Sequence, residues 1–203
     1  MPLPSVAEIL RAHPPAAPIG RDAAHAAVLA LLRTGAEGPE VLLIQRPHRT
    51  GDPASGQVSF PGGHVEPDDS SIMEAALREA TEEVGVGVED LAGPVRFAGI
   101  GAAFAERIPV GVFVAELRGD AGPPRRASPG EVDELFWLPL GRVDPPARVR
   151  VASSRGPREV DATVFEGHVV WGFTRNVLVS LLAPGATAPS PARPAPGPAS
   201  PPP

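Results

Sequence analysis

Pro61-Gly62-Gly63-His64, followed after a short acidic stretch by Arg78-Glu79-Ala80-Thr81-Glu82-Glu83-Val84-Gly85-Val86, is the segment on which the reading of this 203-residue chain turns. Residues from about Ser70 to Val84 have helical spacing, with Ile72, Ala76, Leu77, Ala80 and Val84 as an apolar stripe for anchoring. Glu79, Glu82 and Glu83 are spaced i, i+3, i+4, which puts three carboxylates on one helix face. They sit in the last turn, just before Gly85, a residue suited to closing a helix. The negative end of the helix dipole is an unfavourable place for negative charge, and mutual repulsion adds to the cost. A divalent cation removes both penalties, because hard cations take carboxylate oxygens. The segment therefore reads as a metal site built on a helix, rather than as a solvated acidic face. Arg78 lies four residues after Glu74 and four before Glu82, so it is placed to bridge and orient the acidic face.

Outward from this segment, residues 24–33 are a buried-strand pattern bounded by Asp22 and Thr34-Gly35. A turn around Gly35 to Pro39 leads to a second strand, Glu40 to Arg46, and residues 47–57 read as a loop. Downstream, Val95 to Ile100 and Ile108 to Leu117 are further strands. Asp120 to Pro129 is a polar loop carrying Arg125 and Arg126, and Glu131 to Leu138 is extended. Val149 to Val151 and Ala162 to Phe165 predict a last hairpin, and residues 169–182 a closing helix. Residues 1–19 are expected to form an N-terminal arm with a short helix at Val6 to Ala12. From Pro184 the chain is rich in proline and alanine, a composition that buries no core, so 184–203 are expected to be a disordered tail. That leaves one domain, residues 20–183.

Composition narrows the chemistry. Hydrophobic residues make up 42% of the chain, enough for one core. A formal charge of −6 gives no electrostatic footprint for nucleic acid. With no cysteine there is no disulfide, thiolate metal site or thiol nucleophile. No apolar run reaches the length of a membrane span, and no basic-then-apolar start suggests a secretory leader. A cytoplasmic location is expected.

The segment resembles the Nudix box, G-x5-E-x7-R-E-U-x-E-E-x-G-U with U apolar. The second half matches at Arg78, Glu79, Ala80, Glu82, Glu83, Gly85 and Val86. The first half departs: the early glutamate falls on Ser70 and the glycine on His64, so Gly62-Gly63 stands one residue too far upstream. This extended form is similar to that of Nudix coenzyme A pyrophosphatases, which carry Ser-Phe-Pro-Gly-Gly as at Ser59–Gly63 and an aspartate before the helix, here Asp68 or Asp69. Leu42–Pro47, Gly56–Gly63, Glu131-Val132 with Phe136–Leu140, and Val170–Arg175 also resemble that subgroup, whereas His48–Ser55 do not.

The resemblance implies a Nudix fold, an α/β/α sandwich with a mixed central sheet. It implies hydrolysis of a nucleoside diphosphate linked to another moiety, with coenzyme A or its derivatives the first substrate and ADP-ribose or a nucleotide sugar the alternative. A non-catalytic nucleotide-sensing domain is a further alternative, disfavoured by the intact glutamates. Mg²⁺ or Mn²⁺ is the implied cofactor. Glu79 and Glu83 are the implied principal metal ligands, with Glu82 and the Gly62 carbonyl beside them. Glu79, Glu82 and Arg78 form the implied catalytic face. Many Nudix enzymes place the general base on a loop outside the box, for which Glu106 and Glu131 are the candidates. Arginine suits phosphate recognition, so Arg46 and Arg49, with Gln57, are candidate substrate contacts. The partner is a small nucleotide, with no nucleic acid and no membrane, and a homodimer is left open.

Overall fold

The computed structural model of the chain describes residues 3–49, 55–103, 108–152 and 156–183. Its elements run α1 (Val6–Ala12), β1 (Ala26–Gly35), β2 (Gly38–Gln45), β3 (Val58–Ser59), β4 (Gly62–His64), α2 (Ile72–Val84), β5 (Arg96–Ala103) and β6 (Ile108–Glu116). They continue with β7 (Glu134–Pro139), β8 (Ala147–Val151), β9 (Arg158–Phe165), β10 (His168–Trp171) and α3 (Gly172–Leu182). The fold is an α/β/α sandwich around a mixed sheet. β1 runs parallel to β6 and antiparallel to β2 and β4, and β2 is antiparallel to β3 and β7.

The period-2 alternation of the central strands explains the layering. On β1, Val28, Ala30 and Leu32 face one way and pack with Val6 and Ile9 of α1 and Val177, Leu178 and Leu181 of α3. Ala27, Leu29 and Leu31 face the other way and pack on Ile72, Ala76, Ala80 and Val84 of α2. Both faces of the sheet are therefore covered by helix, which requires the nearly continuous apolar runs seen in β1 and β2.

One departure from a regular sheet positions the site. β1 and β2 pair only through Leu32–Gly35 and Val41–Gly38. Beyond that the hairpin splays, and a two-strand wedge enters from the following chain. β3 takes up Ile44 and Gln45 of β2, and β4 takes up Ala26–Val28 of β1. Gly62 and Gly63 lie in this wedge.

Several expectations are revised. The arm at the N-terminus is packed against the domain: Val6 is 3% exposed and Ile9 1%. Ala16 donates to the Val95 carbonyl, and Phe97 donates to that of Pro14, so the segment runs along β5. The expected hairpin of 149–151 and 162–165 is a separate three-stranded antiparallel sheet, β10-β9-β8. The closing helix begins at Gly172, not residue 169: residues 168–171 are strand β10, and Gly172 breaks the direction with φ 63°. The tail from Pro184 lies outside the described residues. Among the described residues no helix is long and apolar enough to cross a membrane.

Candidate metal and phosphate site

Helix α2 is held at both ends. Ser71 caps its start by accepting from the Glu74 amide at 3.1 Å. At its end Gly85 takes the left-handed conformation, φ 66°, and turns its N–H back to the carbonyls of Ala80 and Thr81. The polar loop before β7 completes the cap. The Arg125 amide donates to the Val84 carbonyl and the Ala127 amide to the Glu83 carbonyl, each at 3.0 Å. The Arg125 guanidinium lies against Gly85, about where a cation best offsets a helix C-terminus.

Glu83 falls on the buried face of α2 and is 2% exposed. One carboxylate oxygen accepts from the Gly62 amide at 2.9 Å. Burial pushes the Glu83 carboxyl up to about 8, and the negative charges of Glu79 and Glu131 push the same way. The Gly62 N–H and the Arg46 guanidinium oppose the shift without cancelling it. Glu79 is also held above the usual carboxylate range, first by burial, with Glu82 and Glu131 adding repulsion and Arg78 opposing. Two adjacent carboxyls thus bind protons more tightly than free glutamate does, as burial and neighbouring negative charge require.

The two glycines of the wedge do different work. At Gly62, φ is +151°, and a Cβ would stand 2.3 Å from the Ala27 carbonyl oxygen and 2.6 Å from the Val28 Cα. Only glycine lets β4 close on β1 there. At Gly63 a Cβ would meet the Glu79 carboxylate at 2.3 Å. The missing side chain is therefore the space in which Glu79 sits.

Arg78 braces this arrangement. Its Nε and Nη2 donate to the two oxygens of Asp69, both at 3.1 Å, and Nη2 also donates to the His64 carbonyl at 3.0 Å. Its Nη1 donates to Glu79 at 3.1 Å and to Glu82 at 3.2 Å. Asp69 is 4% exposed, and the Arg78 fork holds its carboxyl below the ordinary range. The choice between Asp68 and Asp69 falls on Asp69, which also accepts from the Glu66 amide at 2.7 Å. The expected bridge from Arg78 to Glu74 does not form. Glu74 turns back to the Ser70 amide, 2.8 Å away, and to the Ser70 hydroxyl, because Asp69 has already claimed the guanidinium edge.

The remaining sites named from sequence are distributed around this cluster. Arg46 reaches it by charge, acting on Glu83. Its amide donates to the Gln57 carbonyl at 3.0 Å, and the Gly56 amide donates to the Pro47 carbonyl at 3.3 Å, closing the neck of loop 46–57. The Arg49 guanidinium donates to the Gly130 carbonyl, tying that loop to the one bearing Glu131. Glu131 is exposed, accepts from the Ser128 hydroxyl at 3.0 Å, and repels both Glu79 and Glu83. Glu106 lies outside the described residues. The capping role of Arg125 and Ala127 was not read from sequence, since backbone amides leave no side-chain signature.

Among the described residues, no three histidines, aspartates or glutamates converge into a ready metal cage. Glu82 is exposed and committed to Arg78. The donor chemistry nonetheless fits a hard divalent ion. Glu79 and Glu83 offer desolvated oxygen donors, held above the ordinary carboxylate range chiefly by burial.

The doubly covered mixed sheet is a Nudix fold, and the glutamate-rich end of α2 carries the residues that resemble the Nudix box. Residues 23–156 match the family model of the NUDIX domain, and the chain belongs to the Nudix hydrolase family. It is 35% identical over 151 residues to proteins described as the uncharacterized Nudix hydrolase NudL in Salmonella paratyphi B and Salmonella enteritidis PT4, covering 70% of this chain and 73% of theirs. In three dimensions it resembles a MutT/nudix family protein from Enterococcus faecalis, with a TM-score of 0.50 and 19% identity over 77% of this chain and 59% of that one. That likeness is one of fold. Nudix hydrolases generally use divalent metal cations.

Proposed function

We propose that this chain hydrolyses the pyrophosphate bond of a nucleoside diphosphate linked to another moiety, with coenzyme A or its derivatives as substrate. The observation that carries the reading is the pair of desolvated carboxylates, Glu79 and Glu83, set beside the Gly62–Gly63 wedge. Glu79 and Glu83 would hold Mg²⁺ or Mn²⁺, with Glu82 and the Gly62 carbonyl at the margin. When bound, such an ion screens phosphate charge and acidifies water. Arg78 keeps Glu79 and Glu82 from splaying apart, and Asp69 keeps Arg78 in place. Arg46, Arg49 and Gln57 line the substrate side on loop 46–57. A carboxylate that ligates a metal is a poor base, so proton removal from water is assigned to Glu131, on the facing loop.

The coenzyme A assignment is supported by Leu42–Pro47 and Gly56–Gly63, which resemble that subgroup and which the backbone bonds of Arg46 and Gly56 draw together into one neck. The test is a panel of coenzyme A, ADP-ribose and nucleoside triphosphates with Mg²⁺ and with Mn²⁺. Coenzyme A should give the highest kcat/KM. A tenfold preference for ADP-ribose refutes the substrate, and no turnover of any member refutes the reaction.

A further inference from the structure

His168 opens β10, beyond residue 156 where the family match ends, yet it reaches the substrate side of the proposed site. Its side chain is 11% exposed and stacks on Phe136, with centroids 3.9 Å apart and planes 6° from parallel. Nδ1 lies 3.1 Å from the amide oxygen of Gln45 at the end of β2, and Nε2 lies 3.6 Å from the Glu134 carboxylate on β7. The Gln45 amide nitrogen donates to the Gly56 carbonyl. That bond decides the orientation of the amide: its NH₂ faces Gly56, its oxygen faces His168, and Nδ1 is therefore the donor.

These contacts form one relay, from His168 through the Gln45 amide to the Gly56 carbonyl. Gly56 and Gln57 are the residues that close the neck of loop 46–57 against Pro47 and Arg46. A second contact from the same C-terminal unit reinforces it. The buried Thr174 hydroxyl of α3 donates to the Val58 carbonyl at 3.0 Å, two residues further on. The chain after residue 156 thus holds the strand leading into Gly62–Gly63 through Thr174, and the neck beside Arg46 through His168.

We infer that His168 is a positioning residue for the substrate loop: by orienting the Gln45 amide it fixes the neck that presents Arg46 and Gln57. The kinetic part of this inference rests on the proposed pyrophosphohydrolase reading, and the loop-ordering part does not. His168→Phe keeps the stack on Phe136 and removes the donor. His168→Asn keeps a donor where Nδ1 stands. Gln45→Met breaks the relay one link on.

Two measurements read the relay. In residue-resolved hydrogen exchange on the metal-free, substrate-free protein, H168F should raise exchange of the Arg46 and Gly56 amides at least fivefold while the amides of α2 stay as in wild type, and H168N should restore protection. In steady-state kinetics at saturating Mg²⁺, H168F should raise KM about five- to tenfold, with kcat within twofold and the Mg²⁺ activation constant unchanged. Because one relay is cut in either case, H168F with Gln45→Met should be no worse than the poorer single variant. Unchanged exchange in H168F overturns the inference. So does a fall in Tm with KM unaltered, which is packing alone, and so does equal damage from H168N and H168F. If the wild type turns over no substrate, the proposed reaction fails while the exchange result still decides the loop-ordering role.

Discussion

Binding of Mg²⁺ or Mn²⁺ to this protein at pH 7 should expel a proton into solution. The cause is local to Glu83, whose carboxyl burial and the neighbouring negative charges push up to about 8. At pH 7 a group of that pKa is about 0.9 protonated, at pH 8 about 0.5 and at pH 9 about 0.1. A divalent ion takes only the ionised carboxylate, so those fractions are the protons released per ion bound, to which Glu79, shifted the same way, adds. The same competition makes apparent affinity rise about ninefold from pH 6 to 7 and about fivefold from pH 7 to 8, and level off above. Titration calorimetry in two non-chelating buffers of different ionisation enthalpy gives the proton count directly. Glu83→Gln has no acid to lose and offers a weaker ligand, so its release should fall by the Glu83 share, with turnover down by orders of magnitude. Release below about 0.2 proton per ion at pH 7, or affinity flat from pH 6 to 8, would refute the claim that buried Glu83 is a ligand.

With metal removed by EDTA, the same group should make stability fall as pH rises. Its folded pKa lies above the ordinary 4.5, so between 4.5 and about 8 only the folded state holds the proton, and up to about 5 kcal/mol is lost across that window. Thermal melts from pH 5 to 9 should show this slope, and E83Q should flatten it; a wild-type Tm that climbs over that range is the contrary result. Gly63→Ala should lower Tm modestly, because a Cβ pushes the Glu79 carboxylate off its bond to Arg78, and should cut kcat on the order of 10²-fold by displacing that carboxylate. Gly62→Ala meets fixed backbone of β1 and should cost about 3 kcal/mol in chemical denaturation. Glu131→Gln should lower kcat by about 10²- to 10⁴-fold while metal-dependent proton release persists, and a near wild-type rate would remove Glu131 as the base.

What sequence reveals here follows the range over which each signal acts. Helix α2 was readable from its C-terminal end: Gly85 ends it and the carboxylates share a face by spacing alone, whereas the Ser71 cap emerges only in the structure. The β1–β2 hairpin was readable from two long apolar runs around a turn. By contrast β3 and β4 hold two and three residues, too few for any period, and exist only because the hairpin splays to admit them. Residues 169–182 are mostly apolar and hold no turn pair, so strand and helix look continuous, and the break depends on the φ of Gly172. Helix α1 was expected at Val6–Ala12 and forms there, but its packing was not legible, because burial of Val6 and Ile9 is decided by the distant face of β1. Asp69 could not be separated from Asp68 without the fork of Arg78, and Glu74 was misassigned by the i,i+4 rule because that rule knows nothing of a third partner.

The residue that reconciles fold and chemistry is Arg78. A lone arginine beside three glutamates looks at first like a counter-charge that would blunt a metal site. Its donors are spent otherwise. Asp69 takes two of them in a fork, the His64 carbonyl shares one, and a single nitrogen serves Glu79 and Glu82 together. So divided, and fixed by a buried aspartate, the guanidinium supports the orientation of Glu79 without neutralising it: the Glu79 carboxyl remains above the ordinary range despite that contact. Glu83, further from the brace, is held by a backbone amide and is shifted more strongly still. The acidic end of α2 is thus rigid and electrostatically unsatisfied at once. Rigidity comes from Arg78, Gly62 and the capping loop, and the unsatisfied charge is what a divalent ion would meet, which is why the proton count at pH 7 tests the arrangement more directly than loss of activity does.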